Sequence, residues 1–96
     1  MKMMDCVEVV VEKEEYIKEG VHKGMQGVIW DREKKDGCWL VLIPQCGDKE
    51  DIADLYIAEE DLKLIPVMYA IVNERIKAEY ESLQEAKGED LSGYMI

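Results

Sequence analysis

The sequence predicts a mainly β fold, a small five-stranded barrel, followed by one amphipathic α-helix. Within residues 1–66, five short β-branched or apolar segments are separated by polar or glycine-containing connections. After residue 66 the apolar period changes from about two residues to three or four, as in a helix. Five short strands in so few residues favour a barrel, because curling protects the edge strands.

The predicted strands cover residues 5–12, 25–30, 38–43, 52–58 and 62–65. Asp36-Gly37 is a hairpin signal before the third strand, and Pro44 ends that strand. The charged segment 13–20 is predicted as an excursion between strands, with Tyr16 and Ile17 as its apolar anchors. Residues 59–61 suit one tight helical turn before the closing strand.

An apolar stripe at three- and four-residue spacing predicts the helix: Met68, Ile71, Val72, Ile76, Tyr80 and Leu83. Pro66 stands where a helix can begin, and Gly88 is a plausible C-terminal stop. We therefore expect a barrel over 1–66, a helix over 67–87 packed on the barrel or on a partner, and a tail over 88–96.

The sharpest local motif is Gly20-x-x-Lys23-Gly24-x-x-Gly27-x-Ile29. Glycines at this spacing provide positive φ and close backbone approach, so Gly20, Gly24 and Gly27 are predicted to be structural. The motif resembles the KOW motif in SH3-like barrels of ribosomal proteins and NusG-type transcription factors. Residues 7–65 also resemble small SH3-like proteins of Firmicutes-type bacteria, which share the stretches EGVHKGM.G and EEDL. The resemblance implies an SH3-like barrel and brings no established activity with it.

The charge balance bears on partners. The chain has 22 acidic and 12 basic residues, a net charge of −10, which repels phosphate backbones and anionic lipids and favours a basic protein partner. The KOW resemblance implies RNA binding, for which Lys18, His22 and Lys23 are the candidate contacts. Because the basic residues in this region are interleaved with acidic ones, nucleic-acid binding is the alternative and not the leading hypothesis.

Strand alternation predicts which side chains face outward. If Gly27 and Ile29 face the interior, Val28 and Trp30 face out, and Tyr56 faces out on the fourth strand. The third strand is apolar throughout, and we expect its inward set to be Cys38, Leu40 and Leu42 and its outward set to be Trp39, Val41 and Ile43. The candidate partner-binding residues are therefore Trp30, Trp39, Val41 and Tyr56.

These features predict a non-enzymatic protein-interaction module. The apolar side of the helix can pack in cis, pair with a second copy or bind another protein, so a homodimer is one hypothesis. A narrower alternative is an acidic inhibitor or immunity-type protein whose carboxylates mimic a phosphate backbone.

Several functions are not predicted. His22 is the only histidine and lies in a glycine-rich turn without a nucleophile motif, so we expect no enzyme. There is no phosphate-binding loop, and the three cysteines form no CxxC pair, so we expect no cofactor and no metal. We predict a cytoplasmic protein that does not cross the membrane. The cysteines are odd in number and form no CxxC pair, residues 1–5 lack a hydrophobic signal core, and no apolar run is long enough for a membrane span.

Overall fold

The computed structural model describes residues 1–82 in full and, for residues 83–95, the helical backbone only. The elements in chain order are β1 (Cys6–Val9), α1 (Glu14–Ile17), β2 (Gln26–Ile29), β3 (Cys38–Ile43), β4 (Ala53–Ala58), a 3₁₀ turn (Glu59–Asp61), β5 (Leu62–Leu64) and α2 (Ala70–Met95). The five strands form one antiparallel sheet in the order β4-β3-β2-β1-β5. The predicted mainly β fold with one C-terminal helix is confirmed.

The sheet curls into a half-barrel. Within residues 1–82 no ladder joins β4 to β5, so these two strands are the edges of the sheet. The hydrogen-bonded closure that the sequence analysis expected is therefore not formed. One edge is short, at three residues, whereas β4 presents six.

The concave side of the sheet holds the core. Its fully buried strand residues alternate along each strand and are Val7, Val9, Ile29, Val41, Ile43 and Ile57. Tyr16, Val21, Met25 and Leu62 complete the same cluster from the connections and from β5. Burying side chains of this size stabilises the fold by about 1.5–3 kcal/mol each, so this cluster is its main source of stability.

The expected orientation of β3 is wrong. Trp39 is 6 % exposed and Val41 and Ile43 are fully buried, whereas Cys38, Leu40 and Leu42 lie on the other side of the sheet. All six residues of β3 are apolar, so composition cannot tell its two sides apart. Pairing with β2 decides the orientation, since Ile29 lies opposite Val41 on the buried side.

Segment 13–20, predicted as a charged excursion between strands, contains the helical turn α1. Its Tyr16 is buried, while the second expected anchor, Ile17, is exposed. The Tyr16 hydroxyl donates to Asp61 Oδ2 at 2.7 Å and accepts the Ala58 N–H at 3.2 Å. Lys13 Nζ donates to the same carboxylate at 2.6 Å. The turn thereby covers the end of β4.

These contacts also determine the ionisation of the two buried groups. Burial raises the pKa of Tyr16 to about 12, and the bond to Asp61 acts in the same direction. Burial alone would raise the pKa of Asp61, but the donors Lys13 and Tyr16 outweigh it and leave that pKa lowered. Asp61 is thus a satisfied, charged group beneath α1.

Helix α2 docks on its own sheet through a buried asparagine. Asn73 is fully buried. Its Oδ1 accepts the Gln26 N–H at 2.6 Å, and its Nδ2 donates to the carbonyls of Gln26 and Pro44 at 2.7 and 2.8 Å. The amide therefore occupies the place where the β2–β3 ladder ends. One turn later, Ile76 packs against the core.

The helix differs from its prediction in detail. It begins at Ala70 and not directly after Pro66. Ile71, a predicted stripe residue, is 46 % exposed, because the docked side is centred on Asn73. The Leu83 side chain lies outside the described residues. The helical backbone passes Gly88, the predicted stop, and the side chains of the predicted tail (88–96) also fall outside the described part.

Two glycines in the motif have positive φ, +84° at Gly20 and +93° at Gly24. Gly27 has a different requirement. A Cβ placed there would lie 2.4 Å from the Leu42 carbonyl oxygen and 2.8 Å from side-chain atoms of Val41 and Ile43. Strands β2 and β3 can approach as they do only because residue 27 has no side chain.

We expect Gly27→Ala to lower the free energy of unfolding by about 1–3 kcal/mol, because a backbone carbonyl cannot move away as a flexible side chain can. Urea denaturation followed by circular dichroism measures the loss. Gly47→Ala is the control, because nothing lies within 4 Å of the added atom, although Gly47, unlike Gly27, has a positive φ of +67° that strains an alanine. An equal or larger loss in the control would contradict the steric explanation.

We expect Asn73→Ala to destabilise the protein by about 3 kcal/mol, because it leaves the Gln26 N–H and the carbonyls of Gln26 and Pro44 without hydrogen-bond partners at a buried site. Arg75→Ala, an exposed change on the same helix, should cost only a few tenths of a kcal/mol. Both are measured by urea denaturation. Equal losses for the two variants would show that the amide does not anchor the helix.

Candidate protein-interaction surface

The side of the sheet opposite the core carries a contiguous apolar area, here called the outer apolar face: Val28, Trp30, Leu40, Leu42 and Tyr56. Val28 lies opposite Leu42 on neighbouring strands, and Leu40 lies opposite Tyr56. Trp30, the residue after β2, continues the pairing by donating its N–H to the Leu40 carbonyl at 2.9 Å. Trp30, Leu40 and Tyr56 therefore form one row across three strands.

The two aromatic residues of this row are strongly exposed, Trp30 by 48 % and Tyr56 by 44 %. The three aliphatic residues beneath and between them are half-buried. Exposed aromatic rings on a firm aliphatic base are typical of binding surfaces, since large side chains supply contact area at low entropic cost.

A lysine borders this face. Lys35 Nζ donates to the Tyr56 hydroxyl at 3.4 Å and lies 5.8 Å from the centre of the Tyr56 ring. It also pairs with Asp31 at 3.6 Å. The contacts with Tyr56 and then Asp31 raise the pKa of Lys35. A shallow depression of about 300 Å³ opens here between Lys35, Asp36, Cys38 and Tyr56.

The described part of α2 leaves this face open. The helix meets the sheet at Gln26, the first residue of β2, whereas Trp30 follows the last residue of that strand. Four residues of extended strand separate the two points, roughly 13 Å. The helix and the exposed aromatics thus occupy opposite ends of the sheet.

Of the four predicted partner-binding residues, Trp30 and Tyr56 lie together on this face, and Trp39 and Val41 lie in the core. Sequence reasoning missed Leu40 and Leu42 because it assigned β3 the opposite orientation. Extending the antiparallel pairing from Val28 through the hairpin to Leu42 would have placed them on the side of Val28.

Two of the alternative nucleic-acid contacts, His22 and Lys23, lie elsewhere, around Glu12. The ring of His22 stacks on the ring of Tyr80 with centroids 3.6 Å apart and planes 5° from parallel. Glu12 Oε2 lies 3.2 Å from His22 Nδ1 and accepts the Tyr80 hydroxyl at 2.6 Å, while Oε1 accepts the Lys23 N–H at 2.9 Å. This Glu12 cluster ties α2 to the glycine motif.

The cluster changes what these residues offer a ligand. His22 is occupied on one ring face by Tyr80 and on Nδ1 by a carboxylate. The side chains of Lys18 and Lys23 are exposed, beside a chain segment rich in acids. Partial burial alone would raise the pKa of Glu12, but hydrogen bonds from Tyr80, Lys23 and His22 outweigh it and lower that pKa. The charged carboxylate is therefore retained beside His22 and the backbone N–H of Lys23.

The described residues also bear on metal sites, disulfide bonds and membrane spans. They contain no group of three or more metal-ligating side chains with the geometry of a metal site. Their cysteines, Cys6, Cys38 and Cys46, are all unpaired and half-buried. None of their helices has the length and apolar character needed to cross a membrane.

Comparison with known proteins gives no relative: no protein family, curated protein or solved structure matches the chain. The surface must therefore be interpreted from its own chemistry.

We expect Tyr80→Phe to lower the thermal midpoint most between about pH 4.5 and pH 10. These limits are the ordinary pKa values of Glu12 and of Tyr80. Because the pKa of Glu12 is lowered in the folded protein, the hydrogen bond from Tyr80 to Glu12 stabilises the fold fully above about pH 4.5. This stabilisation is lost as the pH falls through the folded-state pKa of Glu12. The bond to Glu12 raises the pKa of Tyr80, so the contribution is lost again as pH rises through that value.

Thermal melts of wild type and Tyr80→Phe from below pH 4.5 to above pH 10 provide the measurement, because the contribution of the bond is lost only outside these two limits. Tyr69→Phe is the matched control, since its hydroxyl makes no hydrogen bond within residues 1–82 and its removal should leave the melting profile unchanged. A Tyr80→Phe deficit that does not vary with pH would show that the loss is one of packing and not of the bond to Glu12.

Proposed function

We propose that this chain is a non-enzymatic protein-interaction module that binds a partner protein through the outer apolar face. The observation that carries the proposal is the Trp30–Leu40–Tyr56 row, in which two exposed aromatic rings flank a half-buried leucine on three neighbouring strands. A surface of this kind gains free energy when a partner removes it from water.

We further propose that the half-barrel belongs to the SH3-like class. Three features support this: the strand order, in which β1 lies between β2 and β5, the 3₁₀ turn before the last strand, and the glycine-spaced entry to β2. The SH3-like assignment concerns architecture, and the proposed binding rests on the residues of the face.

The charge of the chain supports a basic partner. Acidic side chains border the outer apolar face at Asp31, Asp36 and Asp54, and the chain as a whole carries −10. Such a field accelerates encounter with cationic proteins and slows encounter with nucleic acid. The unpaired cysteines fit a reducing compartment, and we propose a cytoplasmic location on that ground.

Site-specific photocrosslinking tests the proposal. A benzophenone amino acid placed at Tyr56 should give discrete adducts in native lysate, because the ring sits where the partner binds. The matched control is the same amino acid at Tyr69, which is 58 % exposed but lies outside the outer apolar face. Trp30→Ala in the Tyr56-labelled protein should abolish the adducts.

The outcomes separate three cases. Adducts from residue 56 that depend on Trp30 support the proposal, and an adduct of twice 11.1 kDa would identify a second copy as the partner. No adduct at residue 56, or the same adducts from residue 69, would refute binding through this face.

A further inference from the structure

The free edge of β4 is the second unusual feature of the same region. In an antiparallel ladder, alternate residues direct their N–H and C=O groups to the partner strand, and the residues between them direct these groups away. Trp30 donates to the Leu40 carbonyl, so the backbone groups of Leu40 point to β2 and not to β4. Tyr56, opposite Leu40, therefore directs its own groups toward the free edge, and so does Asp54, two residues earlier.

Ala58, the next residue of β4 with the orientation of Asp54 and Tyr56, confirms that their backbone groups point toward the free edge. The Ala58 N–H points off the ladder and donates to the Tyr16 hydroxyl, so α1 satisfies that end of the edge. Among residues 1–82, no backbone group bonds the N–H or C=O of Asp54 or Tyr56 outside the sheet. Two donors and two acceptors are thus arranged as a template for another strand.

The charge around this edge is concentrated. Residues 48–60, which contain β4, have six carboxylates and one lysine, a net charge of −5 and half that of the whole chain. Lys49 is engaged by Glu74. The nearby cations Lys34 and Lys35 pair with Glu59 and Asp31. The edge therefore offers backbone hydrogen bonds inside a field that attracts positive charge.

We propose that the partner's binding segment is an extended, basic peptide that adds to the sheet as a strand beside β4, bonding to the backbone of Asp54 and Tyr56. This inference rests on the proposed function and adds the docking mode and the chemistry of the segment. Strand addition supplies affinity through backbone hydrogen bonds, and alternate side chains supply specificity.

The register gives the segment a pattern. The peptide residue opposite Tyr56 extends the row Trp30–Leu40–Tyr56 and should be apolar. The residue opposite Asp54 lies two positions away on the same side of the sheet and should be lysine or arginine. The expected motif is an apolar residue and a basic residue separated by one position.

A second copy of this chain fits the edge poorly. Pairing β4 with β4 would bring together two segments of net charge −5. A basic segment has the opposite sign and meets no such repulsion.

The test uses a defined peptide: an acetylated, amidated heptapeptide with a central valine, lysine two residues away on both sides, and threonine elsewhere. Its symmetry allows either strand direction. NMR titration against the full chain should show saturable binding that weakens as salt is added. Hydrogen exchange of the Asp54 and Tyr56 amides should slow on binding. The same peptide with glutamate for lysine should not bind.

Asp54→Pro removes one edge donor while keeping a backbone conformation that an edge strand tolerates. It should weaken binding about tenfold beyond Asp54→Ala, which removes the same charge and keeps the N–H. The exchange measurement on the wild-type chain gives the same information if Asp54→Pro does not fold.

Peptide binding with unchanged exchange at residues 54 and 56 would overturn strand addition and leave the proposed function standing. Absence of binding at low salt would also overturn this inference, whereas absence of Tyr56 adducts refutes the proposed function. A dimer of the chain that Asp54→Pro dissociates would replace the basic peptide with a second copy.

Discussion

The pairing of β2 with β3 is the constraint on which the other features depend. Ile29 opposite Val41 places the aliphatic core on one side, and Val28 opposite Leu42 places the apolar surface on the other. A slip of one residue would exchange these two sets completely. Gly27 opposes such a slip, because only a residue without a side chain fits against the Leu42 carbonyl. The outer apolar face thus follows from the same register that builds the core.

The docking of the helix shows how a polar contact can define a fold of this size. A stripe of aliphatic residues can slide along a sheet at little cost, whereas the Asn73 amide satisfies three backbone groups only in one position. Those groups are available because the β2–β3 pairing ends at Val28 and Leu42, before Gln26 and Pro44 are reached. The glycine motif approaches the same place through the Glu12 cluster, so the end of the sheet and the first turns of the helix support each other.

The orientation of side chains could be predicted from the sequence only where apolar and polar residues alternate along a strand. The fourth strand alternates apolar and polar residues, and its predicted outward residue, Tyr56, is exposed. The third strand has no polar residue, so its orientation depends on pairing with a distant strand, and Trp39 and Val41 were assigned to the wrong side. The role of Asn73 gave no local signal, because a polar residue on a helix is ordinarily exposed and only the meeting of two strand ends makes this one buried.

The acidic residues next to β4 affect which strands can pair with the edge of the sheet. An open edge strand is a hazard, since copies of a protein can pair through it and aggregate. The carboxylates of residues 48–60 lie within β4 or next to it in sequence and disfavour pairing with an identical segment, while leaving the backbone groups of Asp54 and Tyr56 uncovered. A charged border of this kind does not block strand addition in general but restricts it to segments of opposite charge. If the proposed strand addition holds, the residues that disfavour pairing between two copies would also select the partner.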